Sequence, residues 1–455
     1  MQNQEKFLEL RKKYPNFIYD KYEIIDEEEQ YKLVFTFEIP NLTVFNPTII
    51  IPKKGLKNSN INQEYFNELV FHIGLIELVS YFKCTCSPNV IIKCGYLNEE
   101  QINWFKKLYY NGLGEFLYLN GINISEEDLM HITVVKEKLY LPNINYHGIG
   151  NLIPIGGGKD SVVTLELLNC EKDINSPFII NPKEVTLNSC KIDGYLEEDI
   201  ITIKRSIDKN LLELNKQGFL NGHTPFSSLV AFVTYLCAYL SGKRYILLSN
   251  ESSANEPTVP GTNINHQYSK TYEFEYDFNL YTKKYFNIEI DYFSFLRPLH
   301  EIQIGMLFSS FKKYHNIIRS CNIGSKEIPW KWCCNCSKCL FVYIILSPFL
   351  KKEELINMFG EDLFQKKELL NTFIELLGYS KTKPFECIGT YSEVRLAVSL
   401  AIKNYIGELP YLLKYYNDFY PLELDDKILY SFDDKNFLNE KFTNILKEEL
   451  RKYEK

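Results

Sequence analysis

The sequence has no uninterrupted apolar run long enough to cross a bilayer. Its longest apolar stretch, residues 229–240, is shorter than the about 20 residues that a membrane helix needs, and it contains Thr234. Residues 1–17 are polar and charged where a secretory signal would carry an apolar core. These absences predict a protein without a membrane segment, and we expect it in the cytoplasm.

The chain also lacks an excess of positive charge. Its 51 Lys and Arg residues are outnumbered by 58 Asp and Glu residues, for a net charge of −7. This balance argues against nonspecific binding of nucleic acid as the main activity. With 455 residues, 45% hydrophobic and 24% charged, the composition is that of a soluble globular protein of two or three domains.

Twelve cysteines without a secretory signal argue against a disulfide framework and for thiols that are reduced or bound to metal. Cys333, Cys336 and Cys339 follow one another at two-residue gaps, with Cys321 upstream, which is the close spacing of a tetrahedral zinc site. No histidine is interleaved, which favours a closed structural site, with Cys334 pointing away. An iron–sulfur cluster and an accidental group of core cysteines remain the alternatives.

A glycine-rich loop lies between a short apolar run, residues 152–155, and a helix-periodic stretch that begins at Val162. Glycines let backbone N–H groups approach an anion, and the positive end of the following helix points to the same place. We therefore predict a phosphate cradle. Its residues are Gly156, Gly157, Gly158, Lys159, Asp160 and Ser161.

Two common phosphate motifs do not fit this loop. A Walker A loop requires Ser or Thr after the lysine, where the chain has Asp160, and a dinucleotide fingerprint requires Gly or Ala where it has Ser161. The loop resembles the S-G-G-x-D-S loop of the ATP pyrophosphatases, the PP-loop enzymes, with Gly156 in place of the first serine. That resemblance implies cleavage of ATP to AMP and pyrophosphate. A tight turn that binds no ligand is the alternative.

Hydrophobic patterns divide the chain into three predicted regions. Residues 1–148 form an α+β domain, residues 149–345 alternate strands and helices, and residues 346–455 are helical. The elements predicted from these patterns include strands at 32–39, 48–51, 89–93 and 244–249 and helices at 65–81 and 392–404. We expect an α/β fold whose central parallel sheet has helices on both faces, like PP-loop and other adenine nucleotide alpha hydrolase proteins. Ligands collect at the carboxyl ends of parallel strands. The glycine loop, the turn at Asn181 and the segment 249–256, with Asn250 and Glu251, should therefore converge on one pocket.

Six polar strings outside the glycine loop carry a second resemblance. They are similar to strings of the UDP-N-acetylmuramoyl-L-alanyl-L-glutamate epimerases, over roughly residues 60–400. The strings are Asn221 to Pro225, Ser249 to Glu256, Asn265 to Lys270, Arg319 to Asn322, Trp332 to Cys339 and Pro384 to Thr390.

The resemblance implies that ATP activates the terminal L-glutamate of a UDP-muramoyl dipeptide, a small-molecule substrate, and that epimerisation to D-glutamate releases AMP and pyrophosphate. Asp160, rather than Glu251, is then expected to hold Mg²⁺, while the glycine loop with Ser161 holds pyrophosphate and Lys159 or Arg319 screens its charge. The candidate proton-transfer residues are His266, Glu256, Glu386 and Cys387.

Each of these proton-transfer candidates also has a purely structural interpretation, as a hydrogen-bonded or packed side chain. A zinc site together with a PP-loop is also known in 7-cyano-7-deazaguanine synthase, and an enzyme of that type, which forms an amide or nitrile on an adenylated carboxylate, is the alternative. A nucleotide-binding regulatory protein without turnover is a third hypothesis. The sequence makes no prediction of oligomeric state.

Overall fold

The computed structural model describes residues 2–137, 142–259, 261–326, 329–380 and 383–453. In these ranges the chain forms one sheet of eleven strands flanked by helices, which confirms the predicted α/β class. The strands are β1 (Asn16–Asp26), β2 (Gln30–Ile39), β3 (Thr43–Phe45), β4 (Thr48–Pro52), β5 (Asn89–Ile92), β6 (His131–Val134), β7 (Asn151–Pro154), β8 (Asn175–Ile180), β9 (Ile201–Ser206), β10 (Tyr245–Leu248) and β11 (Asp291–Ser294).

Helices cover the sheet and form the C-terminal region, as predicted. The α-helices are α1 (Gln2–Lys13), α2 (Gln63–Phe82), α3 (Glu99–Gly112), α4 (Gly114–Leu119), α5 (Glu126–Leu129), α6 (Lys159–Leu167), α7 (Glu184–Ile192), α8 (Lys209–Lys216), α9 (Phe226–Ser241), α10 (Tyr272–Tyr285), α11 (Glu301–Ser310), α12 (Ser337–Leu346), α13 (Lys352–Phe359), α14 (Leu370–Leu376), α15 (Tyr391–Asn404), α16 (Tyr411–Phe419) and α17 (Glu440–Arg451). None of them, within the described residues, is both long enough and apolar enough to cross a bilayer.

Five strands form a parallel unit in the order β11-β10-β7-β8-β9. The chain starts in the middle at β7, proceeds outward through β8 and β9, and then returns to the other side of β7 for β10 and β11. In such an open sheet the order of strands reverses between the first and fourth strand, here β7 and β10. Ligands bind in the crevice at the carboxyl ends of the two strands that flank this reversal.

The N-terminal strands extend the same sheet. β4 pairs antiparallel with β9, and β2, β1, β5 and β6 follow outward, with β3 also on β2. The predicted strands at 32–39, 48–51 and 89–93 correspond to β2, β4 and β5. β1 was not predicted, because Asp20, Lys21 and Glu23 interrupt its apolar pattern. The division at residue 148 stays a prediction, and strands from both sides of it share one sheet.

Two hydrophobic cores lie on opposite faces of the parallel strands. Successive side chains of a strand point to opposite faces. Leu152 and Ile246 accordingly belong to the core that contains α2 and α9, while Ile153 and Leu247 belong to the core that contains α6, α11 and α12. This double burial explains why the short strands are apolar throughout. The C-terminal helices pack into the second core and cover that face.

Candidate active site

The glycine loop lies where the order of strands reverses. β7 ends at Pro154, the loop follows, and α6 begins at Lys159 with Gly158 as its N-cap residue. β10 ends at Leu248, and the Thr164 hydroxyl of α6 hydrogen-bonds the Ser249 hydroxyl directly after it, at 2.8 Å. The loop and the segment after β10 therefore meet at one crevice, as expected from the pattern of strands.

Gly157 has a backbone conformation that favours glycine. Its φ is +83°, and a Cβ there would lie 3.1 Å from Val185 Cγ1. Its carbonyl accepts a 2.9 Å hydrogen bond from the backbone N–H of Arg319. At Gly156, by contrast, a Cβ would meet no atom within 4 Å. A serine at position 156, as in the PP-loop pattern, would therefore fit without a steric clash.

Lys159 and Asp160 form a buried ionic group with Glu301, at the first position of α11. The Lys159 ammonium lies 2.5 Å from Asp160 Oδ1 and also contacts Glu301 Oε2. Burial acts to lower the pKa of Lys159, but the two carboxylates outweigh it and raise that pKa. Burial also raises the pKa of Glu301, and the nearby carboxylates of Asp160 and Glu251 add to that rise. Three carboxyl groups, those of Asp160, Glu251 and Glu301, thus lie near one another at this point of the crevice.

Asn250 and Glu251 are fixed by a second buried pair. The Asn250 amide donates to Ser294 Oγ at 2.9 Å, and the Glu251 side chain is buried. Arg297, which is fully buried, pairs with Glu275 at 2.8 Å. The Arg297 guanidinium also donates to the carbonyl of Glu251 at 2.7 Å and to that of Lys270 at 2.5 Å. One buried ion pair therefore holds the backbone at Glu251 close to the backbone at Lys270.

Cys387 lies between two lysines that come from different elements. Lys270 Nζ is 3.2 Å from Cys387 Sγ, and Lys338 Nζ, from the first turn of α12, donates to the Cys387 carbonyl. Burial acts to raise the pKa of the Cys387 thiol, but the charge of Lys270, a hydrogen bond with His266 and the charge of Lys338 lower it to about 6. The charge of Lys159, with smaller contributions from Lys338 and Lys270, holds the pKa of Asp160 below its usual value against the effect of burial. The thiol and the glycine loop thus share one site.

His266 links Cys387 to Glu115. His266 Nδ1 contacts Glu115 Oε2, and the His223 ring packs on the His266 ring with centroids 4.4 Å apart. Burial acts to lower the pKa of His266, yet its hydrogen bonds with Cys387 and Glu115 raise it to about 9. Burial lowers the pKa of His223 to about 4, and the positive charges of His266, Lys83 and Lys270 contribute.

The other predicted proton-transfer residues have different partners. Glu256 forms an ion pair with Lys383 at 2.6 Å, and Glu386 accepts a hydrogen bond from Asn322 at 2.8 Å. The structure therefore brings His266 and Cys387 together. Glu256 and Glu386 are instead paired with Lys383 and Asn322.

The four predicted metal-ligand cysteines form one cluster. Each of Cys321, Cys333, Cys336 and Cys339 places its sulfur within 4.8 Å of the other three. The Cys321–Cys336 and Cys333–Cys339 sulfurs are 3.8 Å apart, and the Cys336–Cys339 sulfurs 3.5 Å. A tetrahedral ion with Zn–S bonds of about 2.3 Å holds its sulfurs about 3.8 Å apart. The spacing fits one ion and is too small for a cluster of four irons.

The surroundings of the cysteine cluster connect it to the crevice. The Cys334 thiol is outside the cluster and donates to the Phe359 carbonyl at 3.2 Å. The Gly324 N–H donates to Cys321 Sγ at 3.1 Å. Cys321 follows the segment that bonds Gly157, and Lys338, between two of the cysteines, reaches Cys387. The cluster therefore supports both the glycine loop and the thiol.

Comparison with known proteins identifies the family. The models described as the MurL N-terminal domain and the MurL C-terminal domain match residues 9–295 and 317–411. The chain belongs to the MurL family. A UDP-N-acetyl-alpha-D-muramoyl-L-alanyl-L-glutamate epimerase of Xanthomonas oryzae pv. oryzae is 31% identical over 360 residues, which are 78% of each chain.

Two further MurL-type relatives carry the same epimerase name. The protein of Salinispora tropica is 31% identical over 366 residues, 78% of each chain. That of a Micromonospora species is 30% identical over 363 residues, 78% of this chain and 79% of the relative. No solved structure gives a significant match. The family match confirms the predicted resemblance.

Two acidic residues beside the candidate site residues, Glu115 and Glu301, were not predicted from the sequence. Both are buried, and each stands among apolar neighbours, in the strings GLGEFL and LHEIQIG. Charged residues are seldom buried unless they are paired. An isolated carboxylate in an apolar string was therefore the signal that could have identified them.

Proposed function

We propose that this chain epimerises the terminal L-glutamate of UDP-N-acetylmuramoyl-L-alanyl-L-glutamate to D-glutamate, using ATP and releasing AMP and pyrophosphate, as a cytoplasmic step of peptidoglycan precursor synthesis. The observation that carries the proposal is the meeting of a phosphate-type glycine loop with the Cys387–His266 pair in one crevice. The first feature suits activation of a carboxylate by ATP, and the second suits movement of a proton. The names of the relatives supply the substrate.

The chemistry requires both features because a free α-carboxylate opposes loss of the neighbouring Cα proton. A carbanion beside a carboxylate would accumulate negative charge. Adenylation of the carboxylate removes that obstacle, since the acyl carbonyl can then accept the electron pair as an enolate. A proton then returns to the opposite face of the Cα atom. Hydrolysis of the acyl-adenylate leaves D-glutamate at the end of the dipeptide and releases AMP.

The residues of the loop suit the pyrophosphate part of this reaction. Gly157 and Gly158 directly precede α6, whose dipole favours an anion at this end, and the Ser161 hydroxyl in its first turn donates to the Gly158 carbonyl at 3.1 Å. Arg319 Nε is buried without a hydrogen-bond partner in the described chain, and a phosphate oxygen would supply one. Asp160, with Glu251 and Glu301 near it, would hold Mg²⁺, which would neutralise charge on the phosphates.

The four-cysteine cluster suits a structural zinc ion. All four ligands come from the chain, so no position is open for a substrate. Its task in this proposal is to hold the Arg319 segment against Gly157 and to hold Lys338 against Cys387.

The proposal is tested by incubating the protein with ATP, Mg²⁺ and the UDP-muramoyl dipeptide in deuterated water. We expect one deuterium at the glutamate Cα, inversion at that carbon and formation of AMP, measured by mass spectrometry and chiral analysis of the hydrolysed glutamate. Asp160→Asn should lose AMP formation, while Asp173→Asn, on a short helical segment outside the crevice, should keep it. AMP without deuterium would contradict epimerisation, and ammonia-dependent AMP release with a carboxydeazaguanine would indicate the synthase. Nucleotide binding without AMP would indicate a regulatory protein.

A further inference from the structure

The thiol of Cys387 has an environment unlike that of Cys84, Cys190 and Cys237, which belong to the hydrophobic cores. Burial raises the pKa of Cys84, Cys190 and Cys237, which have apolar surroundings. Cys387 is only partly buried and has the Lys270 ammonium 3.2 Å from its sulfur. A thiolate in an electropositive, accessible place is a reactive group, whereas a buried neutral thiol is inert.

Three groups face the Cys387 thiol, and they come from two parts of the fold. Lys270 ends a short helical turn and His266 lies just before that turn, in the segment that precedes α10, while Lys338 is in the first turn of α12. Two further groups face His266, namely Glu115 of α4 and the ring of His223. Because Glu115 occupies His266 Nδ1, the other ring nitrogen is the one available to Cys387. The order Glu115, His266, Cys387 is that of a carboxylate that orients an imidazole toward a thiol.

We propose that Cys387 exchanges the Cα proton on one face of the bound glutamyl residue, and that Glu115, through His266, and Lys270 are positioning residues that keep its sulfur ionised. The assignment rests on the proposed function, because it needs an activated glutamyl carbonyl beside the thiol.

The proton transfer balances without an oxidant or reductant. The thiolate takes the Cα proton and becomes a thiol, and the electron pair of the C–H bond moves to the acyl carbonyl as an enolate. A second group returns a proton to the opposite face as the carbonyl re-forms. The thiol then loses its proton to solvent, and the His266 and Lys270 cations restore the thiolate.

An exchange experiment with the two epimers separately tests the role of Cys387. The full-length protein is given ATP, Mg²⁺ and dipeptide substrate ending in L- or D-glutamate, in deuterated water. We expect Cys387→Ala to form AMP from both epimers, and to lose Cα deuterium incorporation by at least about 100-fold with one epimer while retaining it with the other. Cys170→Ala, which removes an exposed thiol, should behave like the unmodified protein.

Three outcomes would overturn the role of Cys387. Exchange that is unchanged with both epimers would remove the thiol from proton transfer, and exchange lost with both while AMP persists would contradict a role on one face. A substrate adduct on Cys387 that hydroxylamine releases would make the thiol a nucleophile. Failure of the unmodified protein to form AMP or to exchange deuterium would instead contradict the proposed function.

The role of Glu115 is tested by the pH dependence of Cys387 alkylation, which a merely structural residue would not change. We expect Glu115→Gln to raise the alkylation pKa of Cys387 by about one unit, which slows alkylation about tenfold below that pKa. Glu115→Asp should restore most of the rate, and Glu127→Gln, at an exposed position of α5, should leave it unchanged. An unchanged profile in a folded Glu115→Gln protein would remove Glu115 from the assignment.

Discussion

Replacement of Lys270 by methionine should raise the pKa of the Cys387 thiol from about 6 to above 8. The reason is the short distance between the two groups, 3.2 Å from Nζ to Sγ. At an effective dielectric constant of about 20, two unit charges at that distance attract by about 5 kcal/mol, which is almost 4 pKa units. Lys338 and His266 remain and retain part of the effect, so we expect a net rise of about 2 to 3 units.

The thiol pKa is measured from the rate of alkylation by iodoacetamide between pH 5 and 10, with the modified peptides resolved by mass spectrometry. The exposed Cys170 serves as an internal reference for the reagent in the same sample. Because only the thiolate reacts, the rate should reach its plateau above pH 7 in the unmodified protein. In Lys270→Met it should still be rising at that pH.

Lys270→Arg is the matched control, since it keeps a positive charge at this position. It should leave the alkylation pKa of Cys387 within about one unit of its original value. A Lys270→Met protein that is folded but shows the original pKa would refute the argument that this ammonium ionises the thiol. Equal rises in both variants would show that packing, rather than charge, is responsible.

Three further perturbations follow from the site and its supports. Gly157→Ala forces a side chain onto a φ of +83° and should weaken ATP binding at least about tenfold by calorimetry, whereas Gly156→Ala, with open space around its Cβ, should bind ATP normally. Cys336→Ser removes one ligand of the four-cysteine cluster and should lower bound zinc, measured by elemental analysis, to below half of the unmodified stoichiometry. Glu275→Gln leaves its fully buried arginine partner unpaired and should lower the free energy of unfolding by about 3 to 5 kcal/mol in urea titrations. Glu100→Gln, which breaks an exposed ion pair, should leave the urea midpoint unchanged.

Much of the local structure could be predicted from the sequence. The helix predicted at 65–81 is α2, that at 392–404 is α15, and the strand predicted at 244–249 is β10. Each has a strong apolar period or a clear boundary signal. The cysteine cluster was predictable for a similar reason, because three of its ligands fall within seven residues, where spacing alone constrains the sulfurs.

The pairing of distant segments could not be predicted in this way. The sequence indicated a separate α+β region before residue 148, but no local pattern shows that β4 pairs with β9 and continues the same sheet. Nor does a local pattern bring Glu115, on a short helix, to His266 across 151 positions of the chain. The sequence therefore could not rank the proton-transfer candidates. The fold places His266 beside Cys387 and pairs Glu256 with Lys383.

The sequence by itself determined the glycine loop, its position between a strand and a helix, the spacing of the metal-ligand cysteines and the resemblance that the family match confirms. These features depend on neighbours within a few residues, whose geometry is set by backbone conformation and periodicity. Only the tertiary structure decided which charges surround Cys387, because the segment that carries His266 and Lys270 and the helix turn that carries Lys338 are both distant from Cys387 in the chain. The ionisation of that thiol depends on distances of a few ångströms between them, and packing of the two cores sets those distances.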